Sequence, residues 1–328
     1  MDDFKGKKIL FFTTNPDENM LHTFTEMGAD VDYYSERPNQ SFFTRALIRI
    51  NRKLISFQVN KYHKRILNET KDKHYDFIFW IRCEAFSRET IQDFRTQHPN
   101  AKMVVFFWDS FNNNRNSARV YDLFDRVFSF DKNDSKKYGI QFKPLFYYDL
   151  YSKIKKTNHY KYKTLFIGTL HSDRYKLVHE IESQITNIGH ESFSWFYLPS
   201  RLLFYKMRLE DKTIKMIDKD IIKYTPLSLK KMVELYEQSE IIIDVQHPKQ
   251  TGLTMRTFET LGARRKLITT NKDIVNYDFY NPRNILVVDR NNIQIPKKFL
   301  EEPFEELPED LYKKYSLTRW LSEVLLES

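Results

Sequence analysis

Between Asp244 and Asn271 the chain gathers Gln246, His247, Gln250, Thr251, Gly252, Thr254, Arg256, Thr257 and Glu259 into one short run, straight after the apolar residues Ile241, Ile242, Ile243 and Val245. An apolar strand that stops in polar residues reads as a buried parallel strand ending at a site, because ligands of open α/β sheets lie beyond the carboxyl ends of the strands. After Gly252, Thr254 suits the N-cap of a helix running through Glu259 to about Arg264. Unpaired amides and the positive dipole end of such a helix favour a phosphate. Arg256 adds a guanidinium able to grip the same anion through two bonds. Glu259, one turn further in, offers a carboxylate that can accept both hydroxyls of a ribose. Lys266 to Thr270 closes the unit as a second strand. The same residues also suit an ordinary strand, loop and helix with a charged solvated face, and no single residue decides between the two readings.

The elements around this run bear on the choice. Residues 7–14 form a strand broken at Asn15 and Pro16, followed by a helix from Glu18 to Met27 and a strand from Ala29 to Ser35. Strands at Tyr75–Ile81, Lys102–Trp108, Arg126–Phe130 and Phe142–Phe146 alternate with helices at Ser87–Gln97 and Asp131–Tyr138. A polar, basic connection from Tyr147 to Lys161 precedes a second series: a strand at Thr164–Ile167 ended by Gly168 and Thr169, a helix capped by Ser172 or Asp173, a strand at Ser192–Tyr197, and helices at Arg201–Leu209 and Leu227–Gln238. The run described above, a strand at Asn284–Asp289 and a helix at Leu317–Leu326 complete the chain. Such alternation indicates right-handed βαβ units and parallel sheets. The expected division is a Rossmann-like domain over 1–150, a second over 151–310 and a C-terminal helix over 311–328. Neither domain carries a G-x-G-x-x-G fingerprint or a Walker A loop, which argues against NAD enzymes and P-loop kinases.

Composition supports two large cores. The chain has 328 residues, 41% of them hydrophobic, with 27 Phe and 20 Tyr against 7 Gly. One cysteine, Cys83, excludes an internal disulfide framework and fits a reducing compartment. The start lacks a signal-peptide layout and no apolar run approaches the ~20 residues of a spanning helix, so a cytoplasmic location is expected. The net charge of +9 is concentrated between Arg37 and Asn68, where Arg45, Arg49, Arg52 and Lys53 stand among apolar residues and no acid occurs. This stretch reads as a long basic amphipathic helix, suited either to the anionic inner face of a membrane or to a solvated surface with a buried stripe. A nucleic-acid partner is not expected, since the stretch carries no recognised motif and would leave the second half unexplained.

The segments HPKQTGLTMRTFETLGARRKLITTN, FIGTLHSDRYKLV and FYNPRNILVVDR, with WDSFNNN and DRVFSFDKND in the first half, resemble bacterial glycosyltransferases of the GT-B fold, in the branch of polysaccharide-biosynthesis and spore-maturation type transferases. The resemblance implies an α/β GT-B architecture of two Rossmann-like domains with parallel sheets facing across a cleft, a nucleotide-sugar co-substrate with no other cofactor and no metal, and a glycan or lipid-linked glycan acceptor at the cell surface. It implies that Glu259 binds the donor ribose, that Leu253, Thr254, Met255, Arg256 and Thr257 hold the donor diphosphate, and that Gly168 and Thr169 form the first donor loop, with Arg174 reaching the same phosphates. His247, before a proline at a strand end, reads either as a contact to donor sugar or phosphate or as a loop histidine with no role. Many retaining members carry a second glutamate where this chain has Thr251, and the glycine-rich loop after the first strand is replaced by Asn15, Pro16 and Asp17. Glycosyl transfer passes through an oxocarbenium-like state that needs a stabilised leaving group and an aligned acceptor hydroxyl. If the reaction inverts, a first-domain residue acts as general base. Asp109 and Glu84, each just past an apolar strand, are the candidates, with a helix cap and a surface charge as their respective alternatives. A catalytically inert GT-B-like binding or scaffold protein is the alternative for the whole chain.

Overall fold

Runs such as FIFWI are apolar on both faces, so they must lie in a sheet that is covered on both sides. The computed structural model describes residues 3–14, 16–38, 56–157, 159–171, 173–210, 212–215, 217–248 and 252–327. They fall into two units, Met1–Pro144 with Leu317–Ser328, and Leu145–Ser316.

In unit 1, six parallel strands, β1 (Lys8–Thr13), β2 (Asp30–Ser35), β3 (Phe77–Ile81), β4 (Lys102–Phe107), β5 (Arg126–Ser129) and β6 (Gln141–Phe142), lie in the order β2-β1-β3-β4-β5-β6. Helices α1 (Glu18–Glu26), α2 (Ser56–Thr70), α3 (Arg88–Gln97) and α4 (Lys132–Tyr138) connect them. Local caps fix their starts: Asp17, Ser87 and Asp131 each accept a hydrogen bond from an amide of the first helical turn. The strand expected over Phe142–Phe146 forms only over Gln141–Phe142. The described part of the expected basic helix is α2, whose Ile66 and Leu67 join a core built around Phe12, Trp80, Phe86 and Phe94. Arg45, Arg49, Arg52 and Lys53 lie outside the described residues. Arg37, at the start of that stretch, is not helical and is only 3% exposed.

In unit 2, β7 (Tyr162–Thr169), β8 (Ser192–Tyr197), β9 (Ile222–Lys223), β10 (Ser239–Asp244), β11 (Lys266–Thr269) and β12 (Ile285–Val287) form a second parallel sheet, ordered β12-β11-β10-β7-β8-β9. Its longer helices are α5 (Arg174–Asn187), α6 (Arg201–Glu210), α7 (Leu229–Glu237) and α8 (Met255–Gly262). Renumbered within the unit, this is the 3-2-1-4-5-6 order of dinucleotide-binding folds, and the order reverses between β7 and β10. The short strand β9 and the helices Lys297–Glu301 and Glu309–Lys313 were not expected from the sequence. The chain then returns to unit 1 through α9 (Leu317–Leu325), which covers one face of the first sheet. Trp320 of α9 is 1% exposed, stands edge-on to Phe106 at 4.8 Å between ring centroids, and donates its indole N–H to the Pro144 carbonyl at 2.9 Å.

Among the described residues, no helix is long and apolar enough to cross a membrane.

The end of α8 is set by a close approach. A Cβ on Gly262 would lie 2.6 Å from the Tyr147 ring, whose neighbour Tyr312 donates its hydroxyl to the Gly262 carbonyl at 2.7 Å. A helical Gly→Ala change normally stabilises by roughly 0.5–1 kcal/mol. For Gly262→Ala the opposite sign is expected, a loss of about 1–3 kcal/mol from overpacking, read as a lower urea midpoint. A gain in stability would show that the tyrosine pair does not fix this end of the helix.

Candidate donor-binding site in unit 2

The strand ends at the β7/β10 reversal carry most of the polar residues that the sequence singles out. Asp244 closes β10 and is 3% exposed. A buried carboxylate needs donors, and two hydroxyls supply them: Thr254 Oγ1 at 2.6 Å and Thr257 Oγ1 at 3.0 Å, both bonded to Asp244 Oδ2. Thr254 is also the N-cap of α8, its hydroxyl accepting the Thr257 amide at 3.4 Å. The strand's last side chain therefore pins the first turn of the helix. Gly252 and Leu253 are buried in the loop between them, and Met255 is half-buried. Gln250 and Thr251 lie outside the described residues.

Arg256 sits in that first turn. Its Nη1 is buried and has no hydrogen-bond partner among the described residues. Burial opposes the guanidinium charge, but Tyr236, Glu259 and Asp244 outweigh it and raise the pKa. Glu259 lies one turn inward, with the Tyr236 hydroxyl donating to its Oε2 at 3.3 Å. Burial lifts the pKa of Glu259 above the ordinary carboxylate value, opposed by the Arg256 charge and the tyrosine bond. Burial and the Glu259 charge together raise the pKa of Tyr151 as well.

Gly168 has a steric role. A Cβ there would meet the Phe166 ring at 2.6 Å, and that ring lies beneath two guanidiniums, Arg174 at 5.9 Å and Arg256 at 6.0 Å from its centroid. Gly168 and Thr169 belong to β7 itself rather than to a loop after it.

Arg174 donates from Nε to the Val245 carbonyl at 2.8 Å and from Nη1 to the Thr169 carbonyl at 2.7 Å, bracing the end of β7 against the end of β10. Burial, with the charges of Arg256 and Arg290 adding to it, pushes its pKa down to about 10. Arg290, which the sequence reading missed, grips both oxygens of Asp173 at 2.8 Å and donates to the Gln246 carbonyl at 2.5 Å and to Thr270 Oγ1 at 3.1 Å. The rings of His247 and His171 lie 5.2 Å apart. Burial and the Arg174 charge lower the His171 pKa to about 4, so this imidazole is neutral near pH 7.

In unit 1, Glu84 and Asp109 follow β3 and β4. Glu84 is 7% exposed and ion-paired with the buried Arg37. Arg82 bridges the two carboxylates, with Nη1 at 3.5 Å from Asp109 Oδ2 and 4.0 Å from Glu84 Oε1. The next helix, Ser117–Val120, has Asn116 rather than Asp109 at its N-cap position. Arg82 and Cys83 adopt φ of 80° and 53°, a left-handed conformation that costs non-glycine residues energy. The buried carboxylate of Glu36 holds this turn, accepting the amides of Cys83 at 2.6 Å, Glu84 at 2.8 Å and Ala85 at 3.4 Å. Burial and the Glu84 charge push the Glu36 pKa up to about 8, against the pull of those amides and of Arg37. Asn114 and Asn116 bind the carbonyls of Arg82 and Cys83 on the other side of the turn.

Similar structures cover nearly the whole chain. A glycosyltransferase from Rickettsia africae ESF-5 matches with a TM-score of 0.55 at 15% identity, over 98% of this chain and 99% of its own. UDP-GlcNAc 2-epimerase from Neisseria meningitidis, bound to UDP-GlcNAc, matches with a TM-score of 0.55 at 12% identity, over 98% and 100%. Anabaena HepE, in complex with UDP and glucose, matches with a TM-score of 0.53 at 10% identity, over 97% and 94%. The fold is GT-B. No family model and no curated protein matches the sequence.

Within this GT-B chain the residues that sequence reasoning missed are of two kinds. Asp244 had a signal, a carboxylate directly after the apolar run Ile241–Ile243, which is tolerated only with built-in partners. Arg290, Tyr236 and Glu36 had none, because their partners are remote in sequence. Asp244→Ala strands two hydroxyls, and a loss of about 3 kcal/mol in urea unfolding is expected, with faster amide hydrogen exchange in the first turn of α8. Unaltered exchange there would mean that the helix start does not depend on the carboxylate.

Proposed function

We propose that this chain is a glycosyltransferase that moves a sugar from a nucleotide-sugar donor, held by unit 2, to a bacterial cell-surface glycan or lipid-linked glycan acceptor. The observation that carries this reading is the buried Arg256 Nη1, which finds no acceptor among the described residues while standing in the first turn of α8. A buried, unsatisfied guanidinium donor is costly unless an anion completes it, and the helix start beside it favours the same charge. Glu259, one turn inward, is the acceptor for the ribose hydroxyls. The enzymes of similar fold in complexes with UDP or UDP-GlcNAc support a nucleotide diphosphate as that anion.

In the proposed reaction the acceptor oxygen forms a bond to the anomeric carbon as the bond to the diphosphate oxygen breaks. The nucleoside diphosphate leaves with the electron pair, and the α8 amides and Arg256 meet its charge, so that no metal is required. If the reaction inverts, the acceptor hydroxyl's proton passes to a general base, for which we propose Asp109 over Glu84. Glu84 is committed to Arg37, whereas Asp109 keeps a side chain 31% exposed and only a long ion pair to Arg82. A sugar-nucleotide epimerase is the second reading, favoured by the equal TM-score of the Neisseria enzyme. It shares the donor half and differs in product. Incubation with donor alone, followed by NMR, separates the two, since only an epimerase yields an isomerised sugar without an acceptor.

In a melting screen against UDP, GDP, CMP and dTDP and their sugars, at least one ligand is expected to raise the melting temperature. Arg256→Ala and Glu259→Ala are each expected to weaken that ligand by about ten- to a hundredfold, as loss of a charge-assisted contact does. Unchanged calorimetric affinity in both folded variants would remove the donor assignment.

A further inference from the structure

Helix α6 of unit 2 has two apolar faces, and the fold uses one. Phe204 is buried, and Leu203 and Met207 pack against the unit 2 core. On the far side Leu202, Tyr205 and Leu209 are 80%, 52% and 82% exposed. At 3.6 residues per turn these three fall within an arc of about 60°. Exposed leucines scattered singly need no explanation, but two leucines and a tyrosine stacked on one helix stripe mark an interaction surface.

The charges around the stripe identify the occupant. Arg201 and Lys206 flank it and are exposed, and Lys219, from the following segment, places its ammonium 5.8 Å from the centroid of the Tyr205 ring. Arg208 ties the helix to that segment, donating to the Lys215 carbonyl at 2.8 Å. Between Arg201 and Tyr224 the sequence has seven basic residues and four acidic ones, so this segment carries an excess of positive charge. An apolar stripe flanked by Arg201, Lys206 and Lys219, with Glu210 paired to Lys206 at 3.7 Å at its C-terminal end, complements an anionic lipid surface.

We propose that this face of α6 docks the protein on an anionic membrane. Leu202, Tyr205 and Leu209 enter the boundary between headgroups and acyl chains, while Arg201, Lys206 and Lys219 meet lipid phosphates. The contact belongs to unit 2 and uses other residues than the Arg45–Lys53 stretch that the sequence suggests, and it does not depend on which sugar reaction the protein performs.

The test is co-sedimentation of the full chain with vesicles of phosphatidylcholine alone and of phosphatidylcholine mixed with phosphatidylglycerol. Wild type is expected to sediment with the anionic vesicles and weakly with the neutral ones. Leu202→Glu with Leu209→Glu is expected to lower the partition coefficient by about a hundredfold, from the apolar surface lost. Arg201→Gln with Lys206→Gln is expected to lower it about thirtyfold at low salt, with high salt abolishing the difference. These positions are exposed, so the variants should melt as wild type does, which calorimetry checks. The proposal is overturned if wild type ignores anionic vesicles or binds both kinds equally, or if the leucine variant sediments unchanged. It is equally overturned if the leucine substitutions convert a dimer to a monomer in ultracentrifugation and leave vesicle binding intact.

Discussion

One buried carboxylate determines where helix α8 begins. Asp244 cannot be left without partners at 3% exposure, and the hydroxyls of Thr254 and Thr257 satisfy it. Those bonds place the first turn of the helix directly beyond the end of β10. The helix's own site residues follow from that placement. Arg256 is brought over the Phe166 ring, Glu259 is brought to the Tyr236 hydroxyl, and Gly168 leaves the space that the ring needs. Most helix starts are held by one cap residue; this one is also tied to the strand before it, so its amides keep a fixed direction.

The surrounding charges act as braces. Arg174 joins the ends of β7 and β10, and Arg290 joins the start of α5 to the residues after β10 and β11. A site held this way is largely formed before any ligand arrives, which reduces the ordering cost of binding. Unit 1 applies the same device to a turn: Glu36 receives three amides and stabilises left-handed residues at Arg82 and Cys83, which present Arg82 to Asp109. In both units a buried carboxylate at a strand end orients backbone that would otherwise be free.

The sheets and most helices were legible in the sequence because the determinants are local. Apolar runs at β1, β3, β4 and β10 require burial on both faces, and Ser87, Asp131 and Thr254 stand at helix starts where their side chains cap. The strand expected to Phe146 stops at Phe142, and the burial of Arg37, at the edge of the basic stretch, has no local signal. Arg37 is drawn into the core by Glu84, a partner 47 positions away that no periodicity reveals. Arg174 was legible as a residue near the strand ends but not as a brace, since its partners are backbone carbonyls. The roles of Arg290 and Glu36 depend on contacts between distant segments, and only the folded chain displays them.

We propose that Glu259 receives the ribose of a nucleoside diphosphate whose phosphates lie at Arg256 and the start of α8. The most direct test is a calorimetric cycle pairing the nucleotide that binds and its 2′-deoxy analogue with wild type and Glu259→Gln. The expected result is that wild type loses about tenfold in affinity on removal of the hydroxyl, whereas the variant binds both nucleotides alike, a coupling of about 1.4 kcal/mol. Equal losses in wild type and variant, or no loss in wild type, would contradict the placement of the ribose at Glu259.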